Sequence, residues 1–292
     1  MSKFGRQHTT AALFLLPALA VYTIFLINPV FQTVYQSFFD WNGIAQSPMV
    51  FSGLSNYRQI LTSAPFARAL RNVGIFLLLG FLIQMPISLM LGLFITGKLK
   101  FLRFFKVAFF IPVVLPMTAI GIMWSFILMP KVGLLDTLLR TLGLGSLVQS
   151  WLGNMGVVPY TIPAINTWVF VGQNMLIFAA GIVGISGDIY EAAEIDGAVG
   201  LRKLILVTVP MLKETFKIYA ILCVTGCLKV FDIIYVLTSG GPNGASDVPA
   251  TLLYYSAFRY QRYGYANAIG VVILVLCLGG SLLLNRLLKV ES

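Results

Sequence analysis

Hydrophobic residues in this chain form long unbroken runs, and the polar and charged residues collect in the connections between them. A bilayer core about 30 Å thick takes about 20 apolar residues at a helical rise of about 1.5 Å each. Six runs reach that length, at residues 10–30, 73–96, 106–129, 159–181, 216–239 and 266–288. In lipid only helices and closed barrels satisfy their own backbone groups. These runs lack the short alternating strands of a barrel. The pattern predicts an all-α integral membrane protein with six transmembrane helices, forming one membrane domain over residues 1–292.

Composition narrows this further. The chain is 58% hydrophobic and 10% charged, with a mean hydropathy of +0.90. A soluble domain carries about 25% charged residues. Twenty Lys+Arg and ten Asp+Glu cannot clothe a soluble enzyme of this size, and the apolar content excludes a disordered chain. The net charge of +10 fits basic residues flanking spans on the cytoplasmic side. No basic run is interleaved with aromatics as in a nucleic-acid surface.

Orientation follows from where those basic residues fall. With the N-terminus inside, the inner segments carry Lys3, Arg6, Lys98, Lys100, Arg103, Lys106, Arg202, Lys203, Lys213, Lys217, Arg286 and Lys289. The longer outer segments carry Arg58, Arg68, Arg71, Lys131, Arg140, Arg259 and Arg262. Both termini are therefore expected in the cytoplasm. The first run has a signal-like start and an Ala18-Leu19-Ala20 site. It continues apolar through Ile27, so it reads as an uncleaved span.

Cys223, Cys227 and Cys277 lie in apolar runs, and the single histidine, His8, lies in the N-terminal tail. A protein-built zinc or haem site is not expected from this set, and no cofactor is. The thiols read as free, since a bridge between Cys223 and Cys227 would strain a helix.

The connection between the fourth and fifth runs, residues 182–215 with a coupling loop at about 186–212, concentrates polar chemistry. Five of the ten acidic residues lie there: Asp188, Glu191, Glu194, Asp196 and Glu214. Asp188 as N-cap with Glu191 three residues on reads as a capping box. Ala192 and Ala193 favour helix, and Gly197 suits a left-handed residue that ends it. Leu201, Leu204, Ile205 and Thr208 recur at helical spacing, and Pro210 ends or kinks that second helix.

This stretch resembles the EAA loop of ABC importer permeases, in which Glu-Ala-Ala, three residues, Gly and nine residues precede Ile-x-Leu-Pro. Here Glu191-Ala192-Ala193 and Gly197 are followed by Val207-Thr208-Val209-Pro210. The version with Ile195-Asp196-Gly197-Ala198 is similar to the maltose-type carbohydrate-uptake permeases. So are Gly53-Leu54-Ser55-Asn56-Tyr57, the stretch from Phe231 to Thr238 with Gly240-Gly241-Pro242, and Tyr263-Gly264-Tyr265-Ala266.

The resemblance implies a type I ABC importer permease fold. It places Glu191, Ala192, Ala193, Asp196, Gly197 and Pro210 at the contact with a cytoplasmic ATPase subunit. It further implies a second homologous permease, two ATPase subunits, and an extracytoplasmic binding protein that delivers a sugar or oligosaccharide. The location it implies is a bacterial-type inner membrane. The chain has no Gly-x-x-x-x-Gly-Lys-Ser/Thr phosphate loop, so ATP hydrolysis is expected in the separate subunit.

Polar residues inside spans are costly and mark pathways. Asn166, Phe170 and Gln173 share one helical stripe, and Cys223, Cys227 and Val230 have the same spacing. Aligned on the flanking motifs, these positions match substrate-lining ones of the maltose-type permeases, with Val113 and Met117 added from the third run. Several are polar in the relative with a direct sugar site, whereas Val113, Met117 and Val230 are apolar here. Lys229 and Asp232, three residues apart, are expected to pair. Two other readings stay open: import of glycerol-phosphate or another polar solute, and ion-coupled secondary transport. The latter usually shows inverted repeats and midplane ionisable groups; this chain has no visible repeat and one charged pair.

Overall fold

A computed structural model of the chain describes residues 14–97 and 100–288. The beginning of the first predicted span, together with Lys3, Arg6, His8, Lys98 and Lys289, lies outside the described residues.

The described structure is helical apart from turns, loops and one short antiparallel pair, Phe39–Asp40 with Val50–Phe51. That pair corrects a purely helical expectation. It forms where Trp41-Asn42-Gly43, with Gly43 at φ 85°, starts the chain's reversal.

Among the described residues, four helices are long and apolar enough to cross a membrane: Phe14–Gln36, Ala64–Ile95, Val158–Val183 and Tyr263–Leu287. Two helix pairs qualify when each is taken together. Leu102–Val114 with Met117–Ile127 is bent by 99°, and Lys213–Lys229 with Asp232–Thr238 by 42°. The third hydrophobic run is therefore not one continuous helix. Leu115 is extended, at φ −74° and ψ 145°, because a residue before proline is driven out of the helical region. Pro116 then caps the next helix. Pro112, by contrast, sits inside a helix. The fifth run breaks at Val230, at ψ 129°, with no proline involved.

Among the described residues four helical stretches contain a π turn. The one at Tyr255–Arg259 has no proline after it, whereas each of the other three has a proline two residues beyond its end. Thr23–Ile27 precedes Pro29, Gly80–Gln84 precedes Pro86, and Leu204–Thr208 precedes Pro210. In each, the residue before the proline donates to the carbonyl five back: Asn28 to Thr23, Met85 to Gly80, Val209 to Leu204. Proline has no N–H and its ring crowds the carbonyl four residues back. A wider preceding turn relieves that crowding.

The chain divides into two compact units. One comprises the described residues through Ser63 with Leu252–Leu274. Its organising side chain is buried Asn56, whose amide donates to the carbonyls of Ser37 at 2.9 Å and Phe39 at 3.0 Å. Asn267 donates to Gln36 at 2.9 Å, fixing the start of the Tyr263–Leu287 helix within this unit.

The other unit comprises Ala64–Thr251 with the residues from Val275 onward. Its core joins Val73 and Phe76, Ile120, Ile162, Ile165 and Val169, and Ile233 and Ile234. Ser88 donates to the Val171 carbonyl at 3.2 Å and Gln84 to that of Thr167 at 3.2 Å. The Ala64–Ile95 helix is thus tied to the Val158–Val183 helix by hydrogen bonds as well as packing. The helix Val158–Val183 also passes close to Leu102–Val114, where a Cβ on Gly172 would overlap the Phe109 carbonyl.

Candidate functional site

A cavity of about 320 Å³ opens within the second unit. The Val158–Val183 helix contributes Asn166, Phe170, Gln173 and Asn174, and the Lys213–Lys229 helix contributes Leu222, Cys223, Gly226 and Cys227. Val230 and Phe231 line it where that helix breaks, and Met117 lines it just after the 99° bend. Both breaks thus fall at the wall, which is where irregular backbone is tolerated in a membrane protein.

Of the pathway residues singled out from sequence, Met117, Asn166, Phe170, Gln173, Cys223, Cys227 and Val230 share this wall, and Val113 does not. Val113 sits in the helix before the bend, which separates its direction from that of Met117. Gln84 also reaches the wall. Nothing in the sequence pairs it with this region, because its partners are the Thr167 carbonyl and the Tyr219 hydroxyl. Among the described residues, no group of three or more His, Cys, Asp and Glu is placed to hold a metal.

Lys229 and Asp232 face the same cavity, and the expected pair between them is absent. The ion pairs among the described residues are Lys203–Glu194 and Lys217–Glu214. The helical spacing that would join Lys229 to Asp232 is lost at Val230. Lys229 closes one helix and Asp232 opens the next.

The 186–212 loop forms a helix, a tight turn and a second helical stretch. The first helix, Gly187–Ile195, is capped by Ser186, whose hydroxyl accepts from the Asp188 N–H at 3.3 Å. Ser186, two residues before Asp188, therefore takes the cap position. Asp188 occupies the first turn, where its charge complements the helix N-terminus. At the other end Gly197 has φ +78°. The N–H of Ala198 donates to the Ala193 carbonyl at 2.8 Å, and that of Gly197 to Glu194 at 3.0 Å. This is a Schellman turn, which favours glycine at the left-handed position. No atom lies within 4 Å of a Cβ built on Gly197.

Lys203 folds back on the first helix, 2.8 Å from Glu194 and over the Tyr190 ring. The Lys203 hydrogen bond and charge hold the Glu194 carboxyl below its ordinary range. Ala193 is buried, whereas Ile195 is 87% exposed and Leu201 70%. The second stretch runs through Gly200–Lys203, the π turn and Val209–Met211. Pro210 therefore shapes the turn before it and does not itself end the helix.

After Asp232–Thr238 the chain turns through Gly240-Gly241-Pro242-Asn243-Gly244. The Asp247 carboxylate packs against that turn and accepts from Thr251 at 2.9 Å. Asn72 donates to the carbonyls of Ala245 and Asp247, each at 2.8 Å. Burial pushes the Asp247 carboxyl up, with the Thr251 bond and nearby Arg68 pulling part of the way back.

Discontinuous helices beside a polar cavity in a helical membrane protein are the arrangement on which transporter sites are typically built. No family model matches the chain. It is 36% identical over 279 residues to the probable ABC transporter permease protein YurN of Bacillus subtilis (strain 168), covering 95% of each chain. It is 31% identical over 291 residues to the arabinooligosaccharides transport system permease protein AraP of the same organism, covering 97% of this chain and 90% of that one. The fold matches a permease chain in the crystal structure of a bacterial alginate ABC transporter in complex with an alginate pentasaccharide-bound periplasmic protein. There the TM-score is 0.83 at 22% identity, with 98% of both chains covered. The chain belongs to the ABC transporter permeases, and its relatives include permeases named for diacetylchitobiose, multiple-sugar and arabinooligosaccharide uptake. It is a multi-pass membrane protein.

Proposed function

We propose that this chain is the membrane-spanning subunit of an ATP-driven importer and forms half of the pathway for a sugar or oligosaccharide. The observation that carries this reading is the match along nearly the whole chain to ABC transporter permeases, among them one named for arabinooligosaccharide transport, together with the amide-lined cavity. Asn166, Gln173, Asn174 and Gln84 offer donors and acceptors to hydroxyl groups, and Phe170 offers an apolar face to a sugar ring. Val113, outside the wall, has no part in this site.

In this reading each bent helix pair is one span, giving six spans in one permease domain, with both termini in the cytoplasm. The 186–212 loop is the coupling element. Glu191, Ala192, Ala193, Asp196, Gly197 and Pro210 set its docked shape against an ATPase subunit, and exposed Ile195 and Leu201 supply apolar contact. Hydrolysis occurs on that separate subunit. A second permease completes the pathway, two ATPases drive it, and a binding protein delivers the solute from outside. Support comes from the loop's fixed turn and from the neighbouring alginate transporter, which was solved with its periplasmic protein.

The test is Gly197→Asp in a reconstituted importer. Within the chain a Cβ at this position meets nothing within 4 Å, and the backbone cost of the substitution is left-handed strain of about 1 kcal/mol. At a docked surface it buries an unpaired charge, at several times that cost. The expected result is loss of ATP-driven uptake with the chain still inserted, accompanied by ATPase release or by uncoupled hydrolysis. Normal coupled uptake would remove the loop from energy coupling.

A further inference from the structure

We propose that Lys229 and Asp232 form a charge-balanced selectivity element in the cavity, which admits neutral polyhydroxylated solutes and turns away solutes of net charge. The proposal rests on the importer reading and names the class of solute for it.

Both residues line the cavity and both are exposed. Neither makes an ion pair or a side-chain hydrogen bond to another described residue. Two opposite charges three positions apart in an apolar stretch would ordinarily neutralise each other. The break at Val230 and Phe231 prevents this. Each charge is instead accommodated by its own helix. Lys229 lies in the last turn of one and Asp232 in the first turn of the next, the ends at which a cation and an anion are respectively favoured. Both charges therefore remain available to whatever enters the cavity.

The rest of the wall carries amide, thiol and apolar side chains and no further charge, so its sum is zero. A carboxylate accepts hydrogen bonds from neighbouring hydroxyls, and an ammonium group donates three to hydroxyl oxygens. A neutral polyol uses both. An anion drawn to Lys229 also meets Asp232, and the two terms largely cancel. Its lost hydration is then left without compensation. A cation meets the mirror situation. Selection of this kind works by making the wrong solute unfavourable, with no added contact to the right one.

The charge preference of the wall can be read without relying on what the binding protein delivers. Cys223 and Cys227 line the same cavity and serve as native reporters once Cys277 is replaced by serine. The complete importer in vesicles is treated with neutral, anionic and cationic methanethiosulfonates of similar size, and modification rates are compared. In the parent, both charged reagents should react more slowly than the neutral one. Asp232→Asn should raise the anionic-to-neutral ratio about 3- to 10-fold, and Lys229→Gln should raise the cationic-to-neutral ratio similarly, as expected for one charge removed at close range in a partly wet site. Met117→Cys provides a further reporter on the wall. Unchanged ratios in both variants overturn the proposal. Failure of all three reporters to react also overturns it, because the cavity would then be closed to water-borne solutes. Uptake of a neutral oligosaccharide by the parent importer is measured in parallel. Its absence counts against the importer reading alone and leaves the reactivity ratios to judge the selectivity element.

Discussion

The hydroxyl of Tyr219 donates a 2.6 Å hydrogen bond to the carbonyl of Gly80, the same carbonyl that closes the π turn by accepting from Met85. It also lies 3.1 Å from Gln84 Oε1, and the Gln84 amide reaches Thr167 at 3.2 Å. One buried phenol therefore links the Ala64–Ile95 and Lys213–Lys229 helices beside the cavity, and Gln84 extends the link to Val158–Val183.

Removing that hydroxyl should loosen the three helices without unfolding them. Tyr219→Phe is expected to cost about 1 kcal/mol, the range for a hydrogen bond between membrane helices. The measurement is the thermal midpoint of the purified complex in detergent. Gln84→Met should cost less in the Tyr219→Phe background than in the parent, since the two groups share one bond network. Additive losses would show that the phenol acts through packing alone.

Two glycines make opposite predictions. A Cβ at Gly172 runs into the Phe109 carbonyl, whereas one at Gly226 meets nothing within 4 Å. Backbone cannot step aside as a flexible side chain can, so Gly172→Ala should lower stability by about 1–3 kcal/mol. Gly226→Ala should be neutral or raise stability by up to about 1 kcal/mol through helix propensity. Thermal unfolding of both variants checks the contrast, and equal effects would contradict the close helix approach at Gly172.

Asp247 yields a pH prediction whose sign follows from its raised carboxyl. The folded chain holds that proton more tightly than the unfolded chain does. This group's contribution to stability therefore declines as pH rises from the ordinary carboxylate range through the raised value, and is constant above it. Asp247→Asn removes the burial cost and keeps an acceptor for Thr251. Its thermal midpoint should match or exceed the parent's at pH 7, and any advantage should shrink as pH falls through the raised value and vanish by the ordinary carboxylate range. A lower midpoint at pH 7 would mean that attraction to Arg68 outweighs burial.

Much of this was legible in the residues, and the failures have a common origin. Long apolar runs located the helices because lipid imposes length and composition directly. Gly197 announced its turn because few other residues accept a positive φ. The bend at Leu115 and Pro116 was missed because Pro112 and Pro116 look alike in sequence, although one stays inside a helix and the other starts one. The same loss of spacing undid the Lys229–Asp232 pair, since i, i+3 means proximity only while the helix continues. Ser186 displaced Asp188 as cap because both residue types suit that position and only backbone geometry chooses. Gln84, Ser88 and Tyr219 bond to carbonyls on other helices, and backbone acceptors leave no mark in a sequence.

The orientation is tested by accessibility. In a background lacking the three native cysteines, single cysteines at Asn42 and Asn243 should label with an impermeant reagent from outside, and one at Lys100 should not. Reversed labelling would put the 186–212 loop on the wrong side of the membrane for an ATPase.

The π turn at Gly80–Gln84 also sets the phase of its helix. Phe76, Gly80, Gln84, Ser88 and Gly92 are all buried, every fourth residue over five positions. In an α-helix each residue turns the chain by about 100°, so every step of four drifts about 40° around the axis. Four such steps would carry Gly92 about 160° away from Phe76, nearly to the opposite side. The one extra residue taken up by the π turn winds most of that drift back, and Ser88 and Gly92 still meet the Val158–Val183 helix. Deleting a single residue there would leave an intact helix whose second half faces lipid with the surface built for its neighbour.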